Sequence, residues 1–152
     1  MKAVGLDTSV VLRLLVGEPE NQAEAAKAFL EKCGLDGVAV CVNDLVVIEA
    51  YHALVYHYAV PKREAARTLL DFLSSPLVTA TGQAAAALSG YTGTGAGLAD
   101  RVIRMDFLKV VSEIVTFDAD FSKLENVRRL PRVAGRFNAR IRKRILPSRS
   151  DG

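Results

Sequence analysis

The sequence predicts an α/β domain whose mainly parallel sheet is covered by helices. Two observations carry this expectation. Short apolar runs of strand length alternate with segments of helical periodicity, in the order strand, helix, strand, helix. Residues that start or stop helices stand between them, notably Gly17, Pro19, Asn43 and Pro61. Strands buried on both faces read as such near-continuous apolar runs.

Residues 2–6 read as a short buried strand, and residues 8–16 as a helix ending near Gly17 and Pro19. Asn21 is a suitable cap for a helix to about Lys32, with Ala25, Phe29 and Leu30 on its apolar side. Gly34 and Gly37 are expected to flank the turn into a second strand, residues 38–42. Asn43 then caps a long helix to about Tyr58. Pro61 suits the first turn of the next helix, which carries Ala65, Leu69, Leu70 and Leu73 on one side. A short strand at 77–80 and an alanine-rich helix at 83–88 follow. Residues 89–97, SGYTGTGAG, form the clearest loop, expected to be flexible. A helix at 98–110, a buried strand at 114–117 and an edge strand at 127–130 complete the pattern. Ligands of such folds bind outside the carboxyl ends of the strands.

At 152 residues, half of them hydrophobic and 24% charged, the chain is globular rather than disordered in composition. The longest charge-poor stretch, residues 45–60, is shorter than a bilayer span and contains Glu49. No signal peptide is visible, so a soluble, cytoplasmic protein without membrane association is expected. Cys33 and Cys41 lack zinc-site spacing and read as free thiols. Residues 128–152 carry nine basic side chains against Asp151, a net of +8. The remainder carries eleven basic and sixteen acidic residues, a net of −5. The division expected is a domain over 1–131 and a basic tail over 132–152. The tail faces a polyanion on one reading and is a solvated, partly disordered terminus on the other.

Asp7, Glu49, Asp100 and Asp118 stand in apolar stretches where a solvating surface acid is not expected. Isolated carboxylates in such surroundings are costly unless paired or bound to a cation. At the carboxyl edge of a parallel sheet the four can converge on a divalent metal, making the chain a hydrolase. Hard cations such as Mg²⁺ and Mn²⁺ prefer oxygen ligands, and they suit phosphodiester hydrolysis by acidifying a water. Thr8, Ser9 and Thr116 lie beside the acids and can orient them or a water. Each acid also has a plain structural role open to it. Asp7 and Asp100 can cap helices, Asp100 can pair with Arg104, Glu49 with a lysine, and Asp118 can organise a turn.

The ordered motifs LDTSVVLRLL, VVIEA, GLADRVI and VTFDADF contain these acids. Together, over residues 1–130, they resemble the PIN-domain ribonucleases, most closely the VapC-type toxins of toxin–antitoxin pairs. The resemblance implies a three-layer α/β/α fold, a Mg²⁺- or Mn²⁺-dependent endoribonuclease acting on RNA, frequent homodimers, and inhibition by a small antitoxin protein. It makes Asp7, Glu49, Asp100 and Asp118 the catalytic, metal-binding quartet and Asp120 a helper. Gly97 departs from the pattern, since many relatives carry another acid there, which leaves one metal or two open. Arg13, Arg101, Arg104, Arg140, Arg142, Lys143 and Arg144 are candidates for binding RNA phosphates, with ordinary surface charge as the alternative.

Competing chemistries fit less well. Glu49 and His52 have di-iron spacing, but no second Glu-x-x-His helix exists. The glycine-rich loop lacks the Gly-Lys-Ser/Thr ending of a phosphate loop. An aspartate-nucleophile phosphatase needs a second aspartate where Ser9 stands. The remaining alternatives are an RNA-processing PIN nuclease without an antitoxin, and a non-catalytic RNA-binding module.

Overall fold

The computed structural model describes residues 2–132. The first strand, β1 (Ala3–Gly5), delivers the chain to Asp7, whose carboxylate accepts the backbone N–H of Val10 and so caps α1 (Thr8–Val16). Gly17 ends α1 in the left-handed region at φ 79°, a conformation without steric cost for glycine alone. The following helix, α2 (Glu20–Asp36), starts from Pro19 and runs through Gly34 to a left-handed Gly37. Asn21 therefore lies inside α2 rather than capping it, and Gly34 belongs to the helix rather than the turn. The buried stripe Ala23, Ala26 and Cys33 continues the helix packing past Lys32 and overrides the single glycine.

Strand β2 (Ala39–Val42) leads into α3 (Asp44–His52), where the Asn43 side chain accepts the Val46 N–H at 3.0 Å, as its position implies. The helix continues as one π-helical stretch, Ala53–His57, so its length matches expectation while its last turn is wider. Pro61 sits at the N-cap of α4 (Lys62–Leu73), one residue earlier than the first-turn place expected. The buried set Ala65, Ala66, Leu69 and Leu73 recurs at helical spacing. Strand β3 (Thr79–Ala80), α5 (Ala84–Ser89) and α6 (Leu98–Phe107) follow, α6 stopping short of Val110. Strand β4 (Ile114–Thr116), a 3₁₀ turn at Phe121–Lys123 and β5 (Val127–Arg129) close the described chain.

All strand pairs are parallel, as the alternation of helices and strands requires. They are divided between a three-stranded sheet, β1-β2-β3, and a two-stranded one, β4-β5. Ala3 pairs in register with Ala39, Cys41 with Thr79 and Ile114 with Val127. The main core joins Val11 of α1, Val40 and Val42 of β2, Val47 of α3, Leu69 of α4 and Leu98 of α6. A second core of Ile114, Phe121 and Val127 lies under β4-β5. No helix among the described residues is long and apolar enough to cross a membrane. Cys33 and Cys41 are free thiols.

Candidate active site

The parallel topology brings the starts of α1 and α3 to the carboxyl ends of β1 and β2, and these helices pack together. The contact is chemical as well as spatial. The Thr8 hydroxyl donates to the Glu49 Oε2 at 2.6 Å across 41 residues of sequence. Ser9 donates to the Asp7 Oδ1 at 2.6 Å, and the same oxygen accepts the Val10 N–H. Donors aimed at a carboxylate favour its charged form, led here by the Ser9 hydroxyl, and they hold Asp7 below the usual aspartate range.

Asp100 stands in the first turn of α6, whose N-cap is Gly97, so it does not cap the helix. It does not pair with Arg104 either, because Arg104 donates instead to the Glu125 carbonyl at 2.7 Å. Asp100 is half-buried, and burial first and the nearby Asp118 second push its carboxyl above the usual range. Asp118 follows β4, its N–H donating to Thr116 Oγ1 at 3.0 Å while its Oδ1 accepts the Phe121 N–H at 2.7 Å. The turn-organising role and a site role are compatible, since a carboxylate has lone pairs to spare. Asp120 is turned to Lys123 in an exposed pair at 3.0 Å.

One premise from the sequence is overturned. Asp7, Glu49 and Asp118 are exposed, and no charged residue is buried among those described. Their apolar sequence neighbours point to the other side of the same helix or strand end: Val47 and Ala50 are buried while Glu49 faces out between exposed Leu45 and His52. The acids are conspicuous by position, not by burial.

The acids come together as two pairings: Asp7 and Glu49 through adjacent Thr8, and Asp100 with Asp118. Among the described residues, no group of three or more His, Cys, Asp or Glu side chains stands as a ready cage for a metal ion. The donor chemistry itself, carboxylate oxygens backed by Thr8, Ser9 and Thr116 hydroxyls, fits a hard divalent cation that keeps several of its waters.

The arginines differ in their employment. Arg13 Nε donates to the Gln22 side chain at 2.6 Å. Arg101 donates to three main-chain carbonyls: Ala96 at 2.9 Å, Gly90 at 3.4 Å and Thr94 at 3.4 Å. The loop at 90–97 is thus stapled to α6, and Tyr91 and Ala96 within it are buried. Arg140, Arg142, Lys143 and Arg144 lie outside the described residues.

Sequence reasoning missed two groups. Asp44 accepts the N–H groups of Gln83 and Ala84, at 3.0 and 2.9 Å, capping α5 from a different helix. Tyr51 and Tyr91 share a buried hydroxyl bond of 2.8 Å. Neither has a local signal, because the partner lies about forty positions away.

No curated protein and no solved structure matches the chain. A family model does: that of the PIN domain matches residues 4–127, a span that holds all four acids and every strand but the ends of β1 and β5. PIN domains are nuclease-like folds, generally metal-dependent and usually acting on RNA. With its helices on a parallel-stranded sheet in the three-layer α/β/α manner, this chain belongs to the PIN domain family.

Proposed function

We infer that the chain is a Mg²⁺- or Mn²⁺-dependent endoribonuclease, the toxin of a toxin–antitoxin pair. The observation that carries the reading is the Thr8 hydroxyl bond to Glu49, which holds the Asp7 and Glu49 carboxylates together at the carboxyl ends of β1 and β2. Two acids kept together against their mutual repulsion are an arrangement that a cation relieves.

In this reading Asp7, Glu49, Asp100 and Asp118 hold the cation, and Asp120 assists. Bound there, a divalent cation would supply Lewis-acid activation of water and charge stabilisation at the leaving oxygen. Ser9 and Thr8 fix the Asp7 and Glu49 carboxylates by the bonds described. Thr116 fixes the backbone entering Asp118. Arg13, Arg104 and the basic tail supply phosphate contacts along the RNA backbone. Ile103 and Phe107, one turn apart on α6, and Val115 and Phe117 at β4 are exposed apolar side chains of the kind a homodimer or antitoxin contact would cover.

The test is cleavage of a structured RNA with Mn²⁺, alongside Asp100→Asn and an EDTA-treated sample. Cleavage lost in both, with Mn²⁺ binding weakened in the variant by calorimetry, supports the reading. Full activity in Asp100→Asn, or activity indifferent to EDTA, refutes it. A short open reading frame immediately upstream, whose product co-purifies and inhibits, supports the toxin assignment; its absence leaves an RNA-processing nuclease.

A further inference from the structure

We propose that Arg101, Tyr91 and Tyr51 form a brace that fixes the Asp100 turn of α6 against the Glu49 helix, so that Arg101 is a positioning residue and not a phosphate ligand. The inference rests on the ribonuclease reading of the four acids and adds a residue role to it.

The chain of contacts is continuous. Arg101 follows Asp100, and its Nε, Nη1 and Nη2 each donate to a carbonyl of the 90–97 loop. Its guanidinium carbon lies 5.3 Å from the Tyr91 ring centroid, the geometry of a cation–π contact. Tyr91 is buried, and its hydroxyl meets that of Tyr51 at 2.8 Å, with the rings edge to face at 5.8 Å. Tyr51 is buried on α3, two residues after Glu49. Three side chains, Tyr51, Tyr91 and Arg101, therefore link the helix that carries Glu49 to the turn that carries Asp100.

The same contacts argue against phosphate binding. A guanidinium captures phosphate with its planar fork of N–H groups. Arg101 turns all three of its nitrogens to carbonyls and one face to a buried ring. Turning toward RNA would strip the part-buried Ala96 carbonyl of its partner and uncover the Tyr91 ring, which opposes a phosphate contact. Arg13, with one bond to Gln22, has no such commitment.

The experiment compares the full chain with Arg101→Lys, which keeps the charge but not the fork, and with Tyr91→Phe, which keeps the ring but loses the hydroxyl bond. Steady-state cleavage of single-stranded RNA is measured with Mn²⁺ over a range of salt. Misplacing a reacting group by about 1 Å costs up to about 100-fold. The expected result is a kcat lowered by about 10- to 100-fold in Arg101→Lys and less in Tyr91→Phe, with KM and the salt slope unchanged. A raised KM with a flattened salt slope and an unchanged kcat would overturn the brace and make Arg101 a phosphate ligand. Hydrogen exchange of amides 91–97 provides a readout that needs no activity. Faster exchange in Arg101→Lys supports the brace, and equal exchange overturns it. If wild type fails to cleave with Mn²⁺, the ribonuclease reading falls, and the exchange result alone decides for or against the brace.

Discussion

Replacing Gly82 by alanine gives a prediction whose sign depends on a single neighbour. A methyl group at Gly82 would fall inside the space of the Asp44 carboxylate, whose carbon and two oxygens are the three atoms nearest to it. Gly82 itself has no positive φ, so its backbone accepts alanine without strain. The carboxylate is the end of a side chain and swings away at little steric cost. What is lost is its pair of bonds to Gln83 and Ala84, the only side-chain cap α5 has, since Gln83 makes none. Losing an N-cap costs about 0.5–2 kcal/mol, and acceptance of two part-buried N–H groups by a charged oxygen places this site near the upper end. Gly82→Ala is therefore expected to destabilise by about 1–2 kcal/mol, close to the effect of Asp44→Ala. At about 2–4 °C per kcal/mol for a chain of this size, the melting temperature falls by roughly 2–8 °C. In an Asp44→Ala background the obstacle and the cap are both gone. There, Gly82→Ala should be neutral or stabilising by about 0.4–1 kcal/mol, because alanine restricts the unfolded chain. Urea denaturation of wild type, both single variants and the double variant measures the cycle. An equal cost of Gly82→Ala in both backgrounds would refute the reasoning.

Asp100 has a raised folded-state carboxyl, so the folded chain retains its proton to higher pH than the unfolded chain. Its ionisation therefore lowers stability as pH climbs from the ordinary aspartate range through the folded value. Asp100→Asn should melt higher than wild type at neutral pH, and the gap should close in acid, while cleavage falls by 100-fold or more; thermal melts across pH check this. Asp7 has the opposite shift, so its contribution is present above the ordinary aspartate range and fades as pH falls through the lowered value. Ser9→Ala should move the Asp7 titration upward in a carboxyl NMR experiment, and an unmoved titration would count against the Ser9 bond. Neutralising Arg140, Arg142, Lys143 and Arg144 to glutamine in the full chain should weaken RNA binding and lower its salt slope by about 3, at about 0.7 per single-strand phosphate contact. An unchanged slope would remove the tail from the interface.

Local chemistry was legible where it is self-contained. Asp7 and Asn43 cap the helices that their positions imply, and Gly17 and Gly37 end helices in the left-handed region. Boundaries failed where packing overrides propensity, as when α2 runs through Gly34 because Cys33 is buried in the core. The four acids were legible as an ordered set, but the reason first offered for them was not sound. Apolar neighbours in sequence do not bury a side chain that a helix turns outward, and Glu49 is exposed beside buried Val47 and Ala50. Contacts between distant segments, such as Asp44 with Ala84 or Tyr51 with Tyr91, leave no periodic trace.

The small core beneath β4-β5 bears on how the molecule ages under heat. Among the described residues, Ile114, Phe121 and Val127 are buried in it, against twenty in the main core. Regions with few buried apolar contacts open at lower free energy than the global unfolding transition. Asp118 rides on that thinly anchored unit, whereas Asp7 and Glu49 are carried by helices of the main core. On gradual warming, the carboxylate at the end of β4 is released while most of the polypeptide is still folded. In the proposed nuclease, activity is then expected to have a lower thermal ceiling than the scaffold, governed by the few apolar side chains under β4-β5.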